Sequence, residues 1–122
     1  MRSTKPYLLE AMYRWMTDSQ CSPLLFARTD ILGVLVPEGY AKDNRIVLDI
    51  EKDSVRHFRI DQHLVTFEAM FGDEIFKVRL PMPAILAIHT EENGMGLEFH
   101  EEEGEGSVGG VTSTDGPNLR VL

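Results

Sequence analysis

The stretch Leu64-Val65-Thr66-Phe67-Glu68-Ala69-Met70-Phe71-Gly72 sets the reading of the whole chain. Val65, Phe67, Ala69 and Phe71 share one face at a period of two, Thr66, Glu68 and Met70 share the other, and Gly72 ends the run. That is the pattern of a half-buried strand. Plain core is the first meaning of such alternation. Ala69 adds a second: a small side chain between two phenylalanines leaves a notch where a ridge would stand, so the strand also reads as the wall of a binding surface. Alternation alone does not say which face is groove and which is core.

Working outward, Asp61-Gln62-His63 is a turn into this strand and Gly72-Asp73-Glu74 a hairpin turn out of it, with Ile75 to Leu80 as the returning strand. Upstream, Val55 to Ile60 carries its apolar residues out of strict register, which predicts a bulge or a loose edge. Arg45 to Ile50 is a β-branched strand behind the polar turn Lys42-Asp43-Asn44. Gly33 to Pro37 reads as a strand stopped by proline, and Leu24 to Ala27 as a short one. Downstream, Pro81-Met82-Pro83 breaks the pattern before the apolar run Ala84 to Ile88, a buried strand that a single helical turn can precede. Asn93-Gly94 and Gly96 then turn the chain into Leu97-Glu98-Phe99.

The N-terminal end is different. Pro6 suits a first helical turn, Ser3 or Thr4 can cap it, and Tyr7 to Asp18 holds no Gly or Pro. Leu8, Met12 and Trp15 form one apolar stripe, and Leu9, Tyr13 and Met16 form another beside it. A face this wide is either covered by loops of the same chain or shared with a second subunit, helix against helix about a two-fold axis. The expected fold is therefore mainly β with an N-terminal α-helix: about seven short strands in a small barrel-like domain of two packed antiparallel sheets.

The 122 residues, 43% hydrophobic, supply one core, which we place in residues 1–99. No apolar run is long enough to span a bilayer and no secretory leader is evident, so a cytoplasmic protein is expected. Cys21 stands alone, which excludes an intrachain disulfide. The net charge of −8 is divided: residues 1–99 hold 11 basic and 15 acidic side chains, and residues 100–122 hold 1 and 5. An acidic body with a more acidic tail argues against a nucleic-acid partner. Residues 100–117 are rich in Gly and acids and too poor in aliphatic groups to offset ordering entropy, so they read as a flexible linker. Residues 118–122 restore apolar character, as a last strand returning to the sheet or as a peptide that another protein grips.

Motifs of catalysis are missing. No phosphate-cradling glycine loop, Gly-x-Ser-x-Gly, His-Glu-x-x-His or Cys-x-x-Cys occurs. His57, His63, His89 and His100 lack ligand spacing, and Ser54 and Ser107 lack an activating neighbour. The run Glu101-Glu102-Glu103 reads as solvated rather than metal-binding. These residues point to a binding module that is not an enzyme and holds neither metal nor cofactor.

Five stretches, in order, resemble the stringent starvation protein B (SspB) family of bacterial adaptors that hand tagged proteins to the ClpXP protease. They are Lys5-Pro6-Tyr7-Leu8-Leu9 with Met12-Tyr13-Arg14-Trp15, Val34 to Ala41, Arg45 to Ile50, Phe67 to Gly72, and Ala84 to Ile88 running on to Glu92-Asn93-Gly94-Met95-Gly96. The resemblance implies an Sm/SH3-like barrel and a homodimer formed through Leu8, Leu9, Met12, Tyr13, Trp15 and Met16. It also implies a groove for the ssrA degradation tag. We expect that groove at Phe67, Ala69, Met70, Phe71 and Gly72, flanked by Val36, Tyr40 and Val47. Leu119-Arg120-Val121 resembles the tail motif that docks on the N-terminal zinc-binding domain of the ClpX unfoldase. Asp73 stands where relatives commonly have a second Gly. A small RNA-binding barrel is the competing reading, since Sm-like domains share the helix-then-strands layout.

Overall fold

A computed structural model describes residues 2–99 and the backbone of residues 119–120. Its first element, α1 (Lys5–Asp18), starts where the sequence places Pro in the first turn. The Ser3 hydroxyl accepts the Lys5 N–H at 3.2 Å, whereas Thr4 contributes its carbonyl, accepting the Leu8 N–H at 2.9 Å, and makes no side-chain cap. Gln20, at φ 61°, then reverses the chain, and the Cys21 N–H donates to the Met16 carbonyl at 2.9 Å.

Seven strands follow between residues 23 and 98: β1 (Pro23–Arg28), β2 (Arg45–Asp49), β3 (Val55–Ile60), β4 (Leu64–Phe71), β5 (Glu74–Pro81), β6 (Ile85–Thr90) and β7 (Gly96–Glu98). A two-residue β8 (Leu119–Arg120) lies beyond them. They form an antiparallel sheet in the order β2-β1-β6-β7-β8 and an antiparallel meander, β3-β4-β5. The architecture is one N-terminal helix followed by two sheets, mainly β, as the patterning predicts.

Turn chemistry fixes the registers. Asp43 and Asn44 both sit at positive φ, 54° and 62°, while Lys42 and Arg45 exchange both backbone hydrogen bonds, at 2.8 and 3.0 Å; this is a two-residue hairpin of the I′ kind. The β4–β5 turn needs positive φ only at Gly72 (66°), the pattern of a II′ turn, so Asp73 occupies its second position without strain. The Asp61 carboxylate accepts the N–H groups of His63 (2.8 Å) and Leu64 (2.9 Å), which closes the β3–β4 connection and holds its pKa below the ordinary carboxylate range.

Two sequence expectations are refined. The apolar residues of β3 are out of step because the register shifts between Arg56 and Arg59, where His57 takes a positive φ of 57°. The strand expected at Gly33–Pro37 shrinks to one bridged pair, Leu35 with Arg79, whose N–H groups and carbonyls bond at 2.9 and 3.0 Å. Gly33, at φ 98°, turns the chain just before it and Pro37 has no N–H to extend it.

The two sheets share one core. Leu25 stands opposite both Leu48 and Ile88, and Ile88 opposite Leu97; across the barrel Val65 faces Leu80 and Phe67 faces Val78, all buried. Helix α1 packs against β1, β6 and β7 and buries Leu9 and Met16 in the same cluster. Strands β6 and β7 approach so closely that a Cβ on Gly96 would lie 1.9 Å from the Ile88 carbonyl oxygen, so only glycine fits.

Candidate peptide-binding site

Strand β4 changes character along its length. Val65 and Phe67 are buried, whereas Ala69 and Phe71, on the same face, are only half-buried. The inward face thus emerges from the core at its C-terminal end. There Phe67, Ala69, Met70 and Phe71 meet Val47 and Leu48 of β2 and Asp49, Asp53 and Ser54 around a cleft of about 410 Å³. The volume is in the range of ligand-binding clefts. Ala69 is the small residue in this wall, between Phe67 and Phe71.

The cleft lies beside β2, the edge strand of the larger sheet. Only β1 pairs with β2 along its length among the described residues, so the other side of β2 presents main-chain N–H and carbonyl groups. The loop after β2 forms the far rim. It is held by Asp49, whose carboxylate accepts the Glu51 N–H at 3.0 Å and the Ser54 hydroxyl at 3.4 Å. At the hairpin end the rings are stacked in series: Tyr40 lies edge-on to Phe71 at 5.1 Å, and Phe71 edge-on to Phe76 at 6.2 Å.

The candidate residues therefore fall into two groups. Phe67, Ala69, Met70, Phe71 and Val47 line one cleft. Tyr40 joins it through Phe71, Gly72 sits in the turn beneath the Tyr40 hydroxyl, and Val36 packs on the core without lining the cleft. Asp49, Asp53 and Ser54 were not foreseen. Their signal was the acidic end of β2 and the polar loop directly after it, which strand patterning treats as a mere connection.

On the helix, Leu9 and Met16 are enclosed by the chain's own core, and Tyr13 stacks on Phe58 at 4.5 Å. Burial, with Glu51 nearby, raises the Tyr13 hydroxyl above its usual pKa. Leu8 and Met12 are half-buried, while Tyr7 and Trp15 are exposed at 53% and 40%. The surface free to meet a partner is thus the Tyr7-Trp15 side, with Leu8 and Met12 at its margin. The backbone of Leu119–Arg120 runs antiparallel to β7, Leu119 opposite Leu97 and Arg120 opposite Gly96. The linker assigned to residues 100–117, and Val121, lie outside the described residues.

Among the described residues no group of His, Cys, Asp and Glu is arranged to hold a metal ion, and no helix is long and apolar enough to cross a membrane. The sequence profile described as stringent starvation protein B matches residues 3–117. A stringent starvation protein B homolog of Haemophilus influenzae is 37% identical over 99 residues, which cover 81% of this chain and 66% of that relative. Helix α1 and strands β1 to β7 fall within residues 3–117, and the chain belongs to the stringent starvation protein B family.

Proposed function

We propose that this chain is a proteolytic adaptor that holds an ssrA-type degradation tag in the cleft around Ala69 and tethers its carrier to the ClpX unfoldase of ClpXP. The observation that supports this most is the cleft itself: an apolar wall with a small-residue notch, set beside a strand edge with open main-chain groups. That pairing suits an extended peptide, whose backbone can bond along the β2 edge while one side chain enters the notch. The one hydroxyl in its wall, Ser54, donates to the Asp49 carboxylate at 3.4 Å with no histidine beside it to act as a base, so binding without chemistry is the function that fits.

The tail supplies the second contact. Leu119-Arg120-Val121 docks on the N-terminal zinc-binding domain of ClpX, and the 18 residues of 100–117 have a flexible-chain reach of roughly 23 Å. Joining two weak contacts raises the local concentration of substrate at the unfoldase without any bond being cut. The β7–β8 pairing is two residues long, so release of the tail to a partner costs little. A homodimer built on the exposed Tyr7-Trp15 side of α1 presents two tails, and the setting is the bacterial cytoplasm.

Deleting residues 118–122 tests the division of labour. Tag-peptide affinity stays unchanged while ClpXP no longer degrades a tagged substrate faster in the adaptor's presence; undiminished acceleration contradicts the tail assignment.

A further inference from the structure

In a chain of net charge −8, the outward face of the β3-β4-β5 meander is basic. Strand alternation and register place its side chains in two cross-strand rows. Arg56, Glu68 and Lys77 form one, and Arg59, Thr66 and Arg79 form the other. Arg56, Arg59, Lys77 and Arg79 are exposed, and none of the four makes an ion pair with another described residue, even though Glu68 stands between Arg56 and Lys77. In the second row Arg59 and Arg79 stand opposite Thr66 from either side, and the acid that feels Arg59 is Asp61, beyond the end of β3. The neighbouring strands are about 4.8 Å apart and the rows about 7 Å apart, so four cations crowd a patch of roughly 10 by 7 Å. Like charges packed this closely repel one another. The arrangement is relieved when an anion lies across it.

His57, Arg59, Thr66, Glu68 and Lys77 line a shallow cleft of about 290 Å³ on this face, and Phe67 contributes to its wall and to that of the Ala69 cleft. The two clefts are therefore neighbours along β4 but of opposite character. The Ala69 cleft is rimmed by Asp49 and Asp53, and the outer one by Arg59 and Lys77 with Glu68 as its one acid.

We propose that the outer face of the β3-β4-β5 meander docks an acidic stretch of polypeptide adjoining the peptide held in the Ala69 cleft, so that substrates with acidic flanks are preferred. This rests on the peptide-binding reading above and adds to it a charge rule for the carrier. Carboxylates suit the face better than nucleic-acid phosphates for two reasons. The patch carries four cations and one acid, Glu68, within a body of −4, which repels a long polyanion, and the aromatic residues of its three strands are turned inward or into the Ala69 cleft rather than offered as stacking platforms.

The test uses the full chain and three fluorescent peptides: an ssrA tag alone, the tag with a four-glutamate flank, and the tag with a four-serine flank. At low salt the glutamate flank tightens binding about tenfold over serine, the effect of two or three exposed ion pairs, and the gain disappears at 0.5 M salt. The double variant Arg59→Gln/Arg79→Gln loses the gain but binds the unflanked tag as the parent does. Equal affinity for the two flanks, or a gain that survives in the variant, overturns the proposal. Should the unflanked tag fail to bind at all, the adaptor reading fails. An eight-residue Glu-Ser repeat then probes the face by itself through the amide shifts of Arg59, Thr66 and Lys77, and unmoved shifts overturn it. A single-stranded RNA octamer that moves those amides when the acidic repeat does not also overturns it.

Discussion

Strands β4 and β6 are each central in their sheets, yet they do different work. β6 is apolar from Ile85 to Ile88 and is buried or half-buried at every position, with β1 and β7 on either side and α1 against it. β4 alternates, and its burial fades from Phe67 to Met70. Such a strand mainly supports, although its Leu86, Ala87 and His89 also border a cleft of about 370 Å³ with Phe26, Val47 and Phe99. One that keeps a solvated face and leaves the core part-way along has surface to offer a ligand, and in this molecule both clefts on the meander touch β4.

That contrast can be broken by truncation. Ile88→Ala and Phe67→Ala remove fully buried side chains, and each is expected to cost about 2–5 kcal/mol in chemical denaturation. Met70→Ala, on the exposed side of β4, should stay within about 0.5 kcal/mol of the parent. If Met70→Ala destabilises as much as Phe67→Ala, β4 is not two-sided. Gly96→Val belongs with the large effects, because the new side chain must displace the backbone of β6; a melting temperature equal to the parent's contradicts the close approach of β6 and β7.

The helix sharpens the same distinction between enclosed and open faces. Trp15→Asp places a charge on the exposed side of α1 while leaving Leu9 and Met16 in the core. Sedimentation should show a dimer becoming a monomer whose peptide affinity is retained. A parent that sediments as a monomer at micromolar concentration removes the helix-mediated dimer.

The smallest effect concerns pH. Asp61 has its folded pKa lowered by the His63 and Leu64 N–H groups, so its contribution is present above the usual carboxylate range and is lost as pH falls through the lowered value. Asp61 is exposed, so the effect is modest. The melting temperature of the parent should exceed that of Asp61→Asn by a few degrees at pH 7, and the difference should narrow by pH 3. A constant difference would show that charge is irrelevant there.

Much of this was legible in the residues. Proline in the first turn and the twin stripes gave α1, and Gly72 and Lys42-Asp43-Asn44 gave the two tight turns. The register slip of β3 announced its bulge, and Pro81-Met82-Pro83 its 3-10 turn, Met82–Ala84. What stayed hidden depends on tertiary neighbours. Periodicity marks Leu9 and Trp15 alike as apolar, and only the packing of α1 on β1, β6 and β7 separates them. Strand alternation puts Ala69 and Phe67 on one face, and only the position of β2 and its following loop decides that Phe67 is buried while Ala69 is half-exposed. The strand expected at Gly33–Pro37 failed because a single bridged residue reads, in sequence, like the middle of a longer ladder. The basic rows of the meander were invisible for a related reason: Arg56, Arg59, Lys77 and Arg79 are interleaved with apolar residues, and they converge only when β3, β4 and β5 are laid side by side.

The central claim is that the space beside Ala69 receives a peptide side chain. Fluorescence anisotropy of a labelled ssrA peptide against the parent and Ala69→Gln, with melting temperatures recorded for both, tests it most directly. Saturable binding to the parent, weakened more than tenfold in Ala69→Gln at a nearly unchanged melting temperature, is the expected result; equal affinity of the two proteins for the peptide would contradict the account.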